Sequence, residues 1–148
     1  MLKEELELYK SIFYNSAIGY VIYDKDYVIY KVNNTLAKIV NKPRDEILGI
    51  DLISFILNDD MESFYDSIQI LHKDKYTKNV DCIVRTIDKK RFIKIISNNM
   101  KLDGLDLIFS AVVDVTREQE LLNKLEYLSF HDQLTGLYNR RFFVEELR

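Results

Sequence analysis

The chain has 148 residues, a formal net charge of -3 and a pI near 5.4, with 47% hydrophobic and 30% charged residues. That length suits one domain, or one domain with a short appendage, and the apolar fraction argues against global disorder. The mildly acidic balance argues against a grip on duplex nucleic acid, which needs a basic footprint to displace counterions. A single cysteine, Cys82, excludes an internal disulfide framework and fits a reducing, cytoplasmic setting. No run approaches the ~20 apolar residues that span a bilayer. Met1 to Glu7 also lacks the apolar stretch of a signal peptide.

Leu2, Leu6, Tyr9 and Phe13 recur at helical spacing and predict an amphipathic helix over residues 1–13. Its apolar face either lies on the domain's own core or pairs with a second subunit. Ile18 to Tyr23 and Tyr27 to Val32 are short runs rich in Val, Ile and Tyr, joined by the turn formers Asp24-Lys25-Asp26; they predict an antiparallel hairpin. Asn33-Asn34-Thr35 offers a helix cap before Leu36. Pro43 suits the first turn of a further short helix, which stops at Gly49 in a left-handed conformation. Asp59 and Glu62 have the spacing of a capping box, ahead of a helix that places Phe64, Ile68 and Leu71 on one face.

After residue 79 the period changes to two. Val80, Cys82 and Val84 alternate with Asp81, Ile83 and Arg85, so the first set faces inward. Asp88-Lys89-Lys90 reads as a turn, Phe92 to Ser97 as a strand, Asp103-Gly104 as a loop and Leu105 to Val113 as a third strand. Strands segregated from helices in this way predict an α+β fold, an antiparallel sheet covered on one face. Thr116 and Gln119 then form a capping box for a helix whose Leu121, Leu125 and Leu128 fall at four- and three-residue spacing. That stripe is under two heptads, too short for a coiled coil by itself.

Several local patterns, in order, resemble the PAS family. They are Gly19 to Asp24, Val32-Asn33-Asn34, Glu46-Ile47-Leu48-Gly49, Asn58-Asp59-Asp60 and Asp114-Val115-Thr116. The resemblance implies a five-stranded antiparallel sheet with short helices on one face, over residues 14–116, flanked by the N-terminal helix and a C-terminal signalling helix over 117–130. A second, sharper pattern resembles the opening of the GGDEF family of diguanylate cyclases. Its matching residues are Asp132, Leu134, Thr135, Gly136, Leu137, Asn139, Arg140 and Arg141, with Tyr138 where that family commonly has proline. Residues 131–148 are then the start of a GGDEF domain. The aspartate strand and the Gly-Gly-(Asp/Glu)-Glu-Phe hairpin that would hold magnesium and GTP do not occur in this sequence. The chain as given is therefore expected to have no catalytic residues and no metal site, and to be inert. Asp114, Thr116, Leu121, Leu125 and Leu128 are the expected relay from sensor to output.

The resemblance implies a homodimer and a small-molecule ligand in the core, with no cofactor named. His72, at the end of the long helix, stands where haem-binding relatives carry an iron ligand, though a basic side chain is also favoured at a helix C-terminus. Cys82 lacks the flavin-sensor motif around it and reads as a small buried hydrophobe. Tyr20, Tyr23, Tyr27 and Tyr30 read as sheet packing or dimer contacts, while Ser97, Asn98 and Asn99 either bring polar groups to a cavity or form a turn. Four functions compete: a ligand sensor coupled to a cyclase, a ligand-free dimerisation module, a haem or flavin redox sensor, and, against the expected inertness, a chain that is itself an enzyme.

Overall fold

A computed structural model of the chain describes residues 2–74 and 79–134, with side chains described through residue 129. The elements in order are α1 (Leu2–Asn15), β1 (Gly19–Tyr23), β2 (Ile29–Val32), α2 (Asn34–Val40), α3 (Arg44–Ile47), α4 (Met61–Lys73), β3 (Val80–Arg85), β4 (Phe92–Leu102), β5 (Leu105–Asp114) and α5 (Thr116–Leu134). Two compact units divide between Asp114 and Val115. The first holds a five-stranded antiparallel sheet in the order β2-β1-β5-β4-β3. The predicted α+β architecture is thus observed, with the first and last strands adjacent at its centre.

Strand alternation decides what the helices cover. Val21 and Tyr23 of β1, Ile93, Ile95 and Ser97 of β4, and Ile108, Ser110 and Val112 of β5 are all buried on one face. Leu36 and Ile39 of α2, Ile47 of α3, and Phe64, Ile68 and Leu71 of α4 close over that face. Val84 is fully buried, Val80 and Cys82 pack against the core, and Ile83 is exposed, as their alternation requires. The segment between α3 and α4 is anchored at both sheet edges: Asp51 bridges Val28 beside β2, and Ile56 bridges Thr86 beyond β3. Gly49 enters it at φ +80°, the left-handed conformation that its position after α3 calls for.

Asn33 joins three elements. Its side chain is fully buried. Oδ1 accepts from the backbone N–H of Tyr20 and of Leu36, each at 3.0 Å, and the second bond is the predicted N-cap of α2. Nδ2 donates to the carbonyls of Phe13 at 2.8 Å and Ile18 at 2.9 Å. All the bonds that a buried amide most needs are therefore made.

Two open alternatives are decided, the first and third below, and two expectations change. First, α1 does not lie on the domain's core: Leu2, Leu6 and Tyr9 are exposed, and the helix is held at its C-terminal end, where Phe13 stacks on Tyr20 at 5.8 Å. Helical spacing identifies an apolar face without saying what covers it. Second, the N-cap position of α4 is Asp60, which follows a 3-10 turn over Asn58–Asp60. Its carboxylate does not cap the helix. It accepts from the Arg85 backbone N–H at 2.7 Å, from Nε at 2.9 Å and from Nη2 at 3.0 Å. Hydrogen bonding to the Arg85 side chain is the main reason that this carboxyl lies below the usual carboxylate range. Third, Asn98 and Asn99 form no turn: β4 continues through both to Leu102, pairing them with Phe109 and Ile108. The hairpin ladder supplies backbone partners that outweigh the local preference of asparagine. Fourth, the first hydrogen bond of α5 runs from Gln119 N–H to the Val115 carbonyl at 2.9 Å, which puts Val115 in the cap position and Thr116 inside the helix.

Asn33→Ala removes the α2 cap and takes their side-chain partner from part-buried backbone groups of α1, β1 and the loop between them. A loss of roughly 2–4 kcal/mol is expected by urea denaturation. A midpoint within error of the parent would contradict the joint described above.

Candidate functional site

The core face carries one polar track. Tyr23 on β1, Ser110 on β5 and Ser97 on β4 lie on three adjacent strands, all pointing inward. The Tyr23 hydroxyl is 2.8 Å from Ser110 Oγ, which is 2.7 Å from Ser97 Oγ. Register places these groups: Ser110 pairs with Val21 on one side and with Ser97 on the other. Burial pushes the Tyr23 phenol well above its ordinary value, and the hydrogen bonds to Ser110 and Ser97 offset this only in part. Tyr23 is therefore neutral at physiological pH, a hydroxyl that both donates and accepts. Among the described residues, no buried side-chain nitrogen or oxygen lacks a hydrogen-bond partner. A polar ligand entering this core would have to replace bonds already made.

Aromatic rings flank the track. Tyr23 lies against Tyr27 and Phe64, with centroids 6.2 and 6.4 Å away, and Tyr27 meets Tyr65 edge-on at 5.6 Å. Cys82 packs against the same core, and burial pushes its thiol upward, which leaves it a weak nucleophile at neutral pH.

His72 sits in the last turn of α4, exposed, while its neighbour Leu71 is fully buried. It lines a cleft of about 390 Å³ at the end of α4, together with Lys25, Asn99, Lys101 and residues of β5. Asn99 closes the helix end by donating Nδ2 to the Leu71 carbonyl at 3.0 Å. Among the described residues, no group of three or more His, Cys, Asp or Glu side chains is placed to hold a metal ion.

The relay residues divide between the two units. Asp114 ends β5 and pairs with Arg91, whose Nη1 is 3.2 Å from Oδ2. Thr116 opens α5, and Leu121, Leu125 and Leu128 are exposed along it. Asp132 and Leu134 belong to the helical backbone of α5, with side chains outside the described set. Thr135, Gly136, Leu137, Asn139, Arg140 and Arg141 lie outside the described residues. Sequence reading did not bring Tyr23 and Ser110 together. The available signal was a serine at an inward position of each of two adjacent strands.

The PAS fold family is matched over residues 7–102, and the chain belongs to that family. Among solved structures, it is similar to the PAS domain of a protein from Colwellia psychrerythraea, with TM-score 0.65 and 11% identity over 76% of this chain and 98% of that one. It is also similar to the PAS domain of an HTR-like protein from Haloarcula marismortui, with TM-score 0.59 and 19% identity over 76% and 93%. A third is the PAS domain, in complex with ethanol, of a LuxR-family transcriptional regulator from Burkholderia thailandensis, with TM-score 0.55 and 19% identity over 72% and 96%. Identities this low establish the shared fold alone. A comparison with curated proteins found no match. No helix among the described residues is long and apolar enough to cross a membrane.

Removing one end of the hydroxyl track should differ from removing its middle. Tyr23→Phe leaves Ser110 and Ser97 bonded to each other and is expected to cost about 1 kcal/mol. Ser110→Ala strands the buried Tyr23 hydroxyl and is expected to cost roughly 2–3 kcal/mol. Equal shifts in thermal or urea unfolding would show that the three hydroxyls do not form one track.

Proposed function

We propose that this PAS domain is the sensory part of a diguanylate cyclase signalling protein, that it works as a homodimer, and that α5 passes its state to a GGDEF output domain. The observation that carries the output assignment is the run Asp132-Gln133-Leu134-Thr135-Gly136-Leu137-Tyr138-Asn139-Arg140-Arg141, which begins in the last turn of α5. The geometry supports a relay. β5 carries Ser110 of the buried track, ends at Asp114, and is followed by α5 after the single residue Val115. A displacement of β5 against its neighbours therefore has little connecting chain in which to dissipate. Leu121, Leu125 and Leu128 are 59%, 55% and 50% exposed, an apolar stripe suited to the same stripe of a second copy. A signal acts by stabilising one dimer arrangement over another, which requires different affinities for the two.

The satisfied hydrogen bonds of Tyr23, Ser97 and Ser110 favour a second reading of the core itself: a ligand-free module that pairs and spaces the output domains. In both readings the chain described here performs no chemistry.

Incubated with GTP and magnesium, the chain is expected to yield no cyclic di-GMP; product above background would overturn its assignment as the non-catalytic part. The coding sequence after Arg148 is expected to continue into an aspartate strand and a Gly-Gly-(Asp/Glu)-Glu-Phe hairpin. A different domain there would overturn the cyclase output. Leu125→Asp is expected to weaken self-association in sedimentation velocity at micromolar concentration, and an unchanged profile would count against pairing through α5.

A further inference from the structure

We propose that α1 pairs with α1 of a second copy, parallel and in register, along the stripe Leu2, Leu6, Tyr9 and Phe13, with Glu5 of each copy against Lys10 of the partner subunit. This deepens the homodimer reading and rests on it. No residue of α1 is buried by its own domain, and Leu2, Leu6 and Tyr9 are exposed. Spacings of four, three and four residues are those of a heptad seam. Leu6 and Phe13 then take its a positions, and Leu2 and Tyr9 its d positions. Ile12, also exposed, flanks the seam at a g position, while Leu8 falls outside it.

Charge selects both the partner and the direction. In a parallel pair the g side chain of one helix meets the e side chain five residues further along the other. Glu5 holds a g position and Lys10 the matching e position, so the contact is attractive, and two-fold symmetry makes it twice. Among the described residues, neither side chain has an ion-pair partner within its own chain. An antiparallel pair on the same seam sets Lys3 against Lys10 of the partner subunit and Glu5 against its Ile12, one repulsion and no attraction. An anionic lipid surface fits less well, because Glu4, Glu5 and Glu7 outnumber Lys3 and Lys10.

The helix is held ready for this contact. Asn33 donates to the Phe13 carbonyl at 2.8 Å, and the Arg44 guanidinium lies 4.8 Å from the centre of the Tyr14 ring. A helix whose direction is fixed beforehand has less to lose on association. Fourteen residues are marginal as a helix pair in isolation. The stripe does not stop at Phe13, however. That ring stacks on Tyr20, and Tyr20, Phe109 and Ala111 are half-buried on the outer face of the sheet. The seam therefore runs onto further apolar surface of the folded domain.

The test uses the full chain in sedimentation equilibrium and in cross-linking. Glu5→Lys is expected to weaken self-association about tenfold, since two attractions become two repulsions. Adding Lys10→Glu to it restores complementarity and should return the affinity to within about twofold of the parent. An effect on α1 stability alone predicts no such rescue, because the double variant keeps a positive charge in the first turn and loses one further along, against the helix dipole. Tyr9→Cys should give a disulfide-linked dimer on mild oxidation, above the background of the parent's Cys82, because parallel pairing sets position 9 against position 9. Four results would overturn the proposal: full affinity in Glu5→Lys, no rescue in the double variant, a Tyr9→Cys chain that cross-links only to a Leu6→Cys chain, or a monomeric parent that binds vesicles of phosphatidylcholine and phosphatidylglycerol through α1. The homodimer reading fails separately. A parent that is monomeric at every concentration sinks both, whereas association weakened by Leu125→Asp and not by Glu5→Lys sinks only the α1 pair.

Discussion

The structure depends on one buried amide. Asn33 has to be asparagine because the site needs two donors and an acceptor at once: carbonyls of Phe13 and Ile18 on one side, N–H groups of Tyr20 and Leu36 on the other. In an apolar interior each unmet group would cost more than a made bond contributes, so the amide fixes three chain segments together. The end of α1, the start of β1 and the start of α2 share this joint. Tight packing adds to it, since a Cβ on Gly19 would come within 3.2 Å of Leu36 Cα and of Ile39 Cδ1.

From that joint the two faces of the sheet take different roles. The inner face is closed by α2, α3 and α4, and its single polar track is satisfied within itself. The outer face is touched by the end of α1, where Phe13 meets Tyr20 and Tyr20 meets Phe109 at 5.4 Å. The rest of α1 extends its apolar side chains away from the core. At the rim of the sheet, where strands end, charged side chains are exposed. The cleft at the end of α4 and the Arg91–Asp114 pair at the end of β5 are two such rims.

Much of this was legible in local pattern. The cap at Asn33, the turn at Gly49, the inward set of Val80, Cys82 and Val84, and the buried face of Phe64, Ile68 and Leu71 each follow from spacing and residue type. The PAS assignment rested on several such patterns in order, and the family match over residues 7–102 agrees with it. Other residues misled because a distant partner outbid a local preference. The cap position of α4 falls on Asp60 and not on Asp59, and the Asp60 carboxylate turns to Arg85, 25 residues away; Asn98 and Asn99, which could equally have made a turn, are drawn into a long hairpin.

The sequence by itself determined the period of each element, the cap of α2 at Asn33, the turn at Gly49, and the side of each strand that is apolar. These depend on residues within a few positions of one another. It also holds the cyclase-like run that begins at the end of α5, which is a matter of residue identity and not of folding. Only the tertiary structure decided that Ser97, Ser110 and Tyr23 share hydrogen bonds, because strand register sets that meeting across 87 residues of chain. It also decided that most of α1 leaves its apolar stripe uncovered and that Lys25 faces the same cleft as Lys101. Pairings of this kind are set by which strands lie side by side, and local propensity carries no information about that.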